Sequence, residues 1–304
     1  MLLKIVKTIT LLVLTSSAIN AAEFNTQAEK DRLALIKYFE AKFEDPEKNR
    51  NTFFPYSTDE ELKTAFIKGI KHQDFSKGNY AFNKDGRAQY DEIKEMPPYE
   101  DAIEEGEALY SKQFKNGKSF ESCFPDTTIG GMYPIFDESR KEVITIGQAI
   151  NECLSTNGEK KWKMTKGNMA KLQAYFAYET MEAEKKVDIK IESTDAAAAY
   201  ERGKEYYYTQ RGYLKFSCAS CHVQGAGKRV RNEKMSQLLG QTTHFPVYRL
   251  KWSGLGTLER RMGGCIKDEG QVPPKSVSDD MKELLYFMSY MSNDMPVDGP
   301  DIRK

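Results

Sequence analysis

The chain has 304 residues, 30% of them charged, and its 45 basic and 45 acidic side chains give a formal net charge of zero. It therefore has no bulk basic field of the kind that attracts nucleic acid, which argues against a nucleic-acid-binding protein. A mean hydropathy of −0.65 indicates a well-solvated surface, and the length is sufficient for two modest domains.

The N-terminus has the features of a secretory signal peptide. Lys4 and Lys7 precede a largely apolar run from Ile9 to Leu14, and small residues follow up to Ala21. The run is too short to cross a bilayer, and no later stretch approaches the roughly 20 apolar residues of a membrane-spanning helix. We expect cleavage at Ala21 or one residue later, and a soluble periplasmic protein in which disulfides are permitted.

Residues 23–95 are charged, with scattered aromatic side chains. Their clearest element is DRLALIKYFEAKF at 31–43, an amphipathic helix by its pattern. We expect this segment to be an extension packed on the first domain and to contribute to a partner surface. The stretch EAEKKVDIKIESTD at 182–195 is typical of an interdomain connection. The predicted boundaries are 1–21 for the signal peptide, 22–188 for the extension and first domain, and 189–304 for the second domain.

The strongest local signal is a C-x-x-C-H motif formed by Cys218, Cys221 and His222 within FSCASCHVQGAGKRVR. At this spacing two thiols can bond the two vinyl groups of one haem while the adjacent histidine ligates the iron, which is the pattern of c-type haem attachment. The motif therefore predicts one covalently bound haem c.

A redox dithiol and half of a zinc site are the alternatives for this motif. Zinc would need a second pair of ligands, and neither His72 nor His244 comes with one. A thioredoxin-like site should follow a strand and open a helix, whereas Gly225 and Gly227 predict a loop after the motif.

Two predicted helices flank the motif. AAAAYERGKEYYY at 196–208 has high helix propensity and places Ala199, Gly203 and Tyr207 on one face. DDMKELLYFMSYM repeats apolar side chains at helical period, namely Leu284, Phe287, Met288 and Met291. Small c-type cytochromes cross two such helices with haem between them, and residues 195–304 resemble that arrangement.

The chain also resembles itself. AIEEGEALY at 102–110 parallels AYERGKEYY at 199–207, aligning Gly106 with Gly203. YPIFDESRKEVITIGQAINEC at 133–153 runs without a gap against FPVYRLKWSGLGTLERRMGGC at 245–265. The order of the two matches indicates a duplication. The predicted fold is mainly α, with two tandem cytochrome c-like domains, the first without haem, and an N-terminal extension.

The cysteines of the first copy predict a disulfide. No histidine follows Cys123, and the loop between Cys123 and the repeated proline is much shorter than in the second copy. Its two cysteines, Cys123 and Cys153, correspond to positions that face each other across the haem pocket. A collapsed pocket would bring them together, in a disulfide contributing about 3 kcal/mol on the chain-entropy model.

Cys265 is then left without a partner. It could be a buried apolar residue or form an intermolecular bridge. However, it lies as far downstream of the motif as the methionine that usually supplies the second axial ligand in c-type cytochromes. The rival ligands are Met235, Met262, Met281, Met288 and His244, of which Met262 is the serious competitor. A thiolate ligand would lower the reduction potential and suits an electron carrier poorly.

Basic residues cluster around this cysteine and in the loop after the motif, namely Arg260, Arg261, Lys228, Arg229 and Arg231. Guanidinium groups bind oxyanions in a bidentate manner, so the cluster is a possible anion dock, and a solvated basic face is the alternative. Arg261 is the better candidate because it lies one helical turn before Cys265 if this stretch is helical.

Several of these segments together resemble the SoxA family, the haem-bearing subunits of SoxAX cytochromes in bacterial thiosulfate oxidation. They are CASCH, GAGKRVR, the 245–265 segment, the terminal DGPDIR, and KSFESCFP and YPIFD of the first copy. The resemblance implies an L-cysteine S-thiosulfotransferase that joins thiosulfate oxidatively to a cysteine of the SoxY carrier in SoxYZ, in a heterodimer with the cytochrome SoxX. Many members carry a second C-x-x-C-H in the first domain, which this chain lacks.

The family also implies residue roles. His222 corresponds to the proximal haem ligand, Cys265 to the distal cysteine, found as a persulfide, and Arg261 to the active-site arginine. Cys265 and Arg261 are therefore the expected catalytic residues. A simple periplasmic electron-transfer cytochrome with Met262 as ligand is the alternative, and a haem sensor lacks a signalling module.

Overall fold

The computed structural model describes residues 24–230 and 233–303, so the predicted signal peptide and Arg231 lie outside the described residues. Within these ranges the chain is mainly helical, which confirms the predicted fold class. No helix in this part of the chain is both long and apolar enough to cross a membrane. The extension contains α1 (Thr26–Glu44), α2 (Arg50–Phe53), α3 (Asp59–Thr64), a 3₁₀ segment (His72–Ala81) and α4 (Lys84–Lys94).

The two copies in the sequence share a succession of one helix, two strands and two helices, to which the second adds a short hairpin and a last strand. The first contains α5 (Glu100–Ser111), strands β1 (Ile135–Asp137) and β2 (Glu142–Ile144), α6 (Ile146–Thr156) and α7 (Asn168–Glu182). The second contains α8 (Thr194–Tyr208), a short β3–β4 hairpin (Arg229–Val230 and Glu233–Lys234), β5 (Val247–Arg249), β6 (Gly254–Gly256), α9 (Leu258–Asp268), α10 (Asp279–Tyr290) and β7 (Asp301–Arg303). The internal repeat of the sequence is therefore also a repeat of structure.

Each copy holds its first and last helices together at a glycine. A Cβ atom on Gly106 of α5 would lie 2.2 Å from the carbonyl oxygen of Lys171 in α7. A Cβ atom on Gly203 of α8 would lie 2.0 Å from the carbonyl oxygen of Glu283 in α10. Because only glycine permits so close a backbone approach, the aligned glycines set the same helix crossing in both copies.

The first copy is filled by its own side chains. The structure joins Cys123 to Cys153, the pair expected from the repeat, in a disulfide. Aromatic rings surround this disulfide in one buried cluster, which includes Phe120, Phe124 and Phe176. Rings and disulfide occupy the place between the helices where the second copy has a cavity.

The prediction that the extension packs on the first domain is wrong, because its main contacts are with the second copy. Phe39 and Phe43 of α1 belong to the same core cluster as Tyr200. The Thr243 hydroxyl donates a hydrogen bond to the Ser76 carbonyl at 2.9 Å. The first copy has buried its apolar side chains internally, whereas the second offers apolar surface that the aromatic residues of α1 cover.

Lys42 of α1 is unusual in this interface because its charged group is buried among aromatic rings. Its side chain is 1% exposed, and its ammonium group donates to the carbonyl oxygen of Gln224 at 3.2 Å. Four aromatic rings, those of Tyr38, Phe43, Phe53 and Phe54, have centroids 5.5 to 6.0 Å from the nitrogen. Burial lowers the pKa of Lys42 to about 7, and the nearby Lys228 lowers it further in the same direction.

We expect Lys42→Met to remove a large part of the pH dependence of stability in the alkaline range. Between pH 7 and the ordinary lysine value of 10.5, the unfolded chain binds a proton that the folded chain does not, so the free energy of unfolding should rise with pH. From pH 7 to pH 10 the wild-type chain should gain on the order of 3 kcal/mol more than Lys42→Met. Denaturant unfolding of the haem-loaded protein at both pH values measures this difference. Lys37→Met, which changes an exposed lysine of the same helix, is the control, and equal pH dependence of the two variants would contradict the prediction.

Candidate active site

The second copy encloses a cavity of about 1000 Å³, including its open mouth. Its apolar walls come from α8, α9 and α10, through Tyr207, Leu258 and Met288, while Gly78 and Tyr80 of the extension close one end. The chemically reactive groups in the lining are Cys218, His222, Arg261, Met262 and Cys265. The largely apolar lining with a few convergent polar groups is that of a site for an organic cofactor.

The C-x-x-C-H motif lies on a short helical segment at the cavity wall. Ser217 and Ser220 cap its start reciprocally, each backbone N–H donating to the other's hydroxyl at 3.1 to 3.2 Å. The helix continues as one π-turn over Ser220–Gln224, and the predicted loop begins only at Gly225. Cys218 is buried in the cavity wall, and Cys221 is half-buried.

The histidine of the motif is held in one tautomer. His222 Nδ1 lies 2.9 Å from the carbonyl oxygen of Ser236, which can only accept a hydrogen bond, so Nδ1 carries the proton. Nε2 then keeps a free lone pair. Burial lowers the pKa of His222 to about 4, which keeps the ring neutral at neutral pH. A neutral imidazole oriented by a backbone carbonyl is the form that ligates metals.

Helix α9 presents the other reactive groups. Arg261 and Met262 lie four and three residues before Cys265, and Glu269, which caps the end of the helix, lies four residues after it, so all four share the face that lines the cavity. Burial raises the pKa of the Cys265 thiol, and the positive charge of Arg261 opposes that rise. The structure thus brings Arg261 and Cys265 together as the sequence predicts, and it places Met262 beside them.

The rival ligands differ in position. Met235, Met288 and His244 line the cavity, whereas Met281 does not and is packed in the core. His244 is buried with Nδ1 3.4 Å from the Ser76 carbonyl, and burial lowers its pKa well below the usual value. Besides Met262, three of the predicted rivals therefore reach the cavity.

The predicted basic cluster does not form one anion dock. Lys228 and Arg229 are exposed and absent from the cavity lining. The guanidinium carbon of Arg260 lies 4.1 Å from the ring centroid of Trp252, also away from the cavity. Of the described members only Arg261 faces the cavity, because successive residues of a helix point in different directions.

Sequence reasoning missed five charged residues of the lining, namely Glu233, Lys234, Arg249, Glu269 and Arg303. Glu269 is buried and accepts a hydrogen bond from the Gln271 amide at 2.8 Å; burial raises its pKa. Arg249 and Arg303 lie on β5 and β7, which pair in parallel with these two residues opposite each other.

Comparison with known proteins agrees with this arrangement. The family model described as SoxA/TsdA, cytochrome c domain, matches residues 105–184 and 202–297. The L-cysteine S-thiosulfotransferase subunit SoxA of Chlorobaculum tepidum is 46% identical over 236 residues, 77% of this chain and 82% of the relative. The chain belongs to the SoxA family. The resemblance read from the motifs is thus confirmed.

Other members of the SoxA family agree. The subunit of the same name from Allochromatium vinosum is 38% identical over 256 residues, which cover 82% of this chain and 91% of the relative. Among solved structures, the crystal structure of SoxXA from P. pantotrophus matches with a TM-score of 0.62 and 31% identity, covering 68% of this chain and 79% of that chain.

Membership of a cytochrome c domain family implies haem c, and the residues of this SoxA chain fit it. The cavity combines a neutral histidine with a free Nε2, a cysteine sulfur on the facing helix, and apolar walls. Nitrogen and sulfur donors of this kind suit haem iron. The first copy offers no equivalent donor pair, since its two cysteines are joined to each other.

Proposed function

We propose that this SoxA chain joins thiosulfate oxidatively to a cysteine of a sulfur-carrier protein, the activity named by its relatives as L-cysteine S-thiosulfotransferase. The observation that carries the proposal is that Cys265 and Arg261 share one cavity with His222. A simple electron carrier needs an iron ligand there but has no use for an adjacent guanidinium group or a reactive sulfur.

In this proposal Cys218 and Cys221 would hold one haem c covalently, and His222 and Cys265 would ligate its iron. When bound, the haem supplies a one-electron acceptor beside the Cys265 sulfur. The Ser236 carbonyl accepts a hydrogen bond from Nδ1 of His222 and so leaves Nε2 available as the iron ligand. Cys265 must be deprotonated to act as a ligand, and the charge of Arg261 favours that form.

Arg261 binds the sulfonate oxygens of thiosulfate and directs the outer, sulfane sulfur toward Cys265. A guanidinium group suits this role because its N–H groups match two oxygens of one oxyanion at once. The carrier thiolate and the sulfane sulfur form an S–S bond, the thiol proton leaves to solvent, and two electrons are removed.

The electron count calls for a partner. One haem accepts one electron at a time, whereas the conjugation releases two, so a second one-electron centre must take part. The similar chain in the P. pantotrophus crystal structure belongs to SoxXA, and we assign this chain a SoxX cytochrome partner and the SoxY subunit of SoxYZ as carrier. From the signal peptide predicted at the N-terminus we infer that the reaction takes place in the periplasm.

A plain electron-transfer cytochrome is the second candidate, and the presence of Met262 in the cavity favours it. Thioether ligation by Met262 would leave Cys265 as a lining residue without a chemical role. The two candidates differ in what Arg261 contributes, because an electron carrier does not bind thiosulfate.

Replacing Arg261 by alanine is expected to lower kcat/KM for thiosulfate by about a hundredfold, since a lost charge-assisted contact to a reacting anion costs about 2 to 3 kcal/mol. Turnover is measured with the SoxX and carrier partners, and electron paramagnetic resonance reports the axial ligands. Arg260→Ala is the matched control, because Arg260 lies on Trp252 outside the cavity and its loss should leave turnover unchanged. Unchanged turnover in Arg261→Ala, with wild-type axial ligation, would reject the proposed function.

A further inference from the structure

Two arginines face each other at one end of the cavity. In the pairing of β5 with β7, Arg249 lies directly opposite Arg303, and both line the cavity together with Arg261. Like charges opposite each other on neighbouring strands are destabilising. A fold that keeps such a pair in a partly buried place needs a negative charge nearby.

Arg303 is fixed in orientation by its surroundings. Its guanidinium carbon lies 4.8 Å from the ring centroid of Tyr80 and 5.7 Å from that of Tyr90. Nη1 donates to the carbonyl oxygen of Ile302 at 2.7 Å and pairs with the carboxylate of Asp301, which is fully buried. Two rings and an ion pair therefore hold the guanidinium plane and leave the other terminal nitrogen to a different acceptor.

That nitrogen has no acceptor in the protein. Nη2 of Arg303 is buried and has no hydrogen-bond partner among residues 24–230 and 233–303. It lies beside Gly78, where a Cβ atom would come within 3.3 Å, and Gly78 itself lines the cavity. A buried donor without a partner is destabilising, so the geometry calls for an acceptor reaching it from the cavity.

Arg249 supports the same conclusion from the neighbouring strand. Its guanidinium carbon lies 5.2 Å from the ring centroid of Trp252, which orients it by stacking. Burial lowers the pKa of Arg249, and the positive charge of Arg261 lowers it further. An anion bound between these strands would relieve both the burial and the repulsion.

The cavity carboxylates have other contacts. Glu269 accepts a hydrogen bond from Gln271, and Glu233 accepts one from Asn79 at 3.3 Å. Asp301 forms an ion pair with Arg303 and does not line the cavity. The basic residues of the lining are Arg249, Arg261, Arg303 and Lys234; Lys234 pairs with Glu61 at 2.6 Å and Arg303 with Asp301, two carboxylates that lie outside the lining.

We propose that Arg249 and Arg303 form an oxyanion-binding pair, distinct from Arg261, that takes a carboxylate or sulfonate group at this end of the cavity. Two sources can supply that chemistry: a propionate of the bound haem, or the sulfonate of thiosulfate. The second source rests on the proposed function, whereas the first does not.

The test uses the haem-loaded protein in complex with its SoxX partner. Arg249→Gln and Arg303→Gln are compared with wild type, with Arg260→Gln as the control arginine that stacks on the same Trp252 outside the cavity. Two quantities are measured, namely the midpoint reduction potential of the haem between pH 6 and pH 9, and the KM for thiosulfate. Haem content and circular dichroism report folding, and Arg249→Gln decides the matter if loss of the Asp301 pair prevents Arg303→Gln from folding.

Binding of a propionate predicts a lower potential and a changed pH dependence in the variants, because a positive charge beside the haem has been removed, with KM unchanged. Binding of thiosulfate predicts a KM increase of about tenfold with the potential unchanged. Both results support the site and distinguish its ligand. A variant indistinguishable from Arg260→Gln in both quantities overturns it. If wild type fails to turn over thiosulfate, the proposed function fails, but the potentials still test the pair.

Discussion

Replacing Cys265 by serine is expected to reduce thiosulfate turnover by about a thousandfold or more while the haem remains attached through Cys218 and Cys221. Serine has nearly the same volume, so the cavity should keep its shape. Its hydroxyl is far less nucleophilic and does not ligate haem iron as a thiolate does. The loss therefore isolates the sulfur atom, whether it bears the sulfane sulfur or only orients it.

Met262→Leu is the matched control for this variant, since it removes the rival sulfur one helical turn away and keeps the volume of the side chain. It should retain turnover and wild-type axial ligation by electron paramagnetic resonance. The reverse pattern would contradict the assignment: if Cys265→Ser kept the wild-type ligation while Met262→Leu lost it, the iron ligand would be the Met262 thioether, as in an electron carrier.

The positions of these two sulfur atoms could be predicted from the sequence, because both lie on one helix downstream of the C-x-x-C-H motif. Local rules link C-x-x-C-H to haem, and helical periodicity places Arg261, Met262 and Cys265 on a common face. The packing of the extension could not be read in the same way. Aromatic residues such as Phe43 predict burial but not the surface that buries them, which depends on which copy has filled its own interior.

The missed residues of the cavity had a signal in the repeat. At the positions of the charged cavity residues, the first copy has residues with a different charge or none. The gapless alignment and its continuation pair Arg249 with Asp137, Arg261 with Ala149 and Glu269 with Asn157. Arg303 has no counterpart in that alignment. It reaches the cavity through the parallel pairing of β7 with β5, a long-range contact that no local pattern predicts.

Asn157 illustrates how the two copies diverged. Its side-chain amide lies over the sulfur atoms of the disulfide and donates to the carbonyl oxygen of Cys153 at 2.8 Å. At the corresponding place the second copy has Glu269, whose charge acts on Cys218 and Cys265. The same framework thus supports a closed, disulfide-bonded core in one copy and an open, charged cavity in the other.

Gly203→Ala is expected to destabilise the second copy by about 3 to 5 kcal/mol and to lower the yield of haem-loaded protein. The new Cβ would lie 2.0 Å from the Glu283 carbonyl oxygen and 2.9 Å from Cβ of Phe287, so α8 and α10 must separate by about 1 Å. Both helices line the cavity, through Tyr207 and Met288. Denaturant unfolding and the ratio of haem absorbance to protein measure the two effects.

Gly106→Ala makes the equivalent change in the first copy, where the new Cβ would lie 2.2 Å from the Lys171 carbonyl oxygen. It should destabilise the protein by a similar amount and leave the haem spectrum and reduction potential of the folded fraction unchanged, because α5 and α7 do not line the cavity. Gly264→Ala on α9, where a Cβ meets nothing within 4 Å, should be neutral or slightly stabilising. Equal loss of haem in Gly203→Ala and Gly106→Ala would contradict this prediction and show that the two copies fold as one unit. Loss of haem in Gly203→Ala alone would show that the crossing of α8 and α10 forms the haem site and that the first copy serves another purpose.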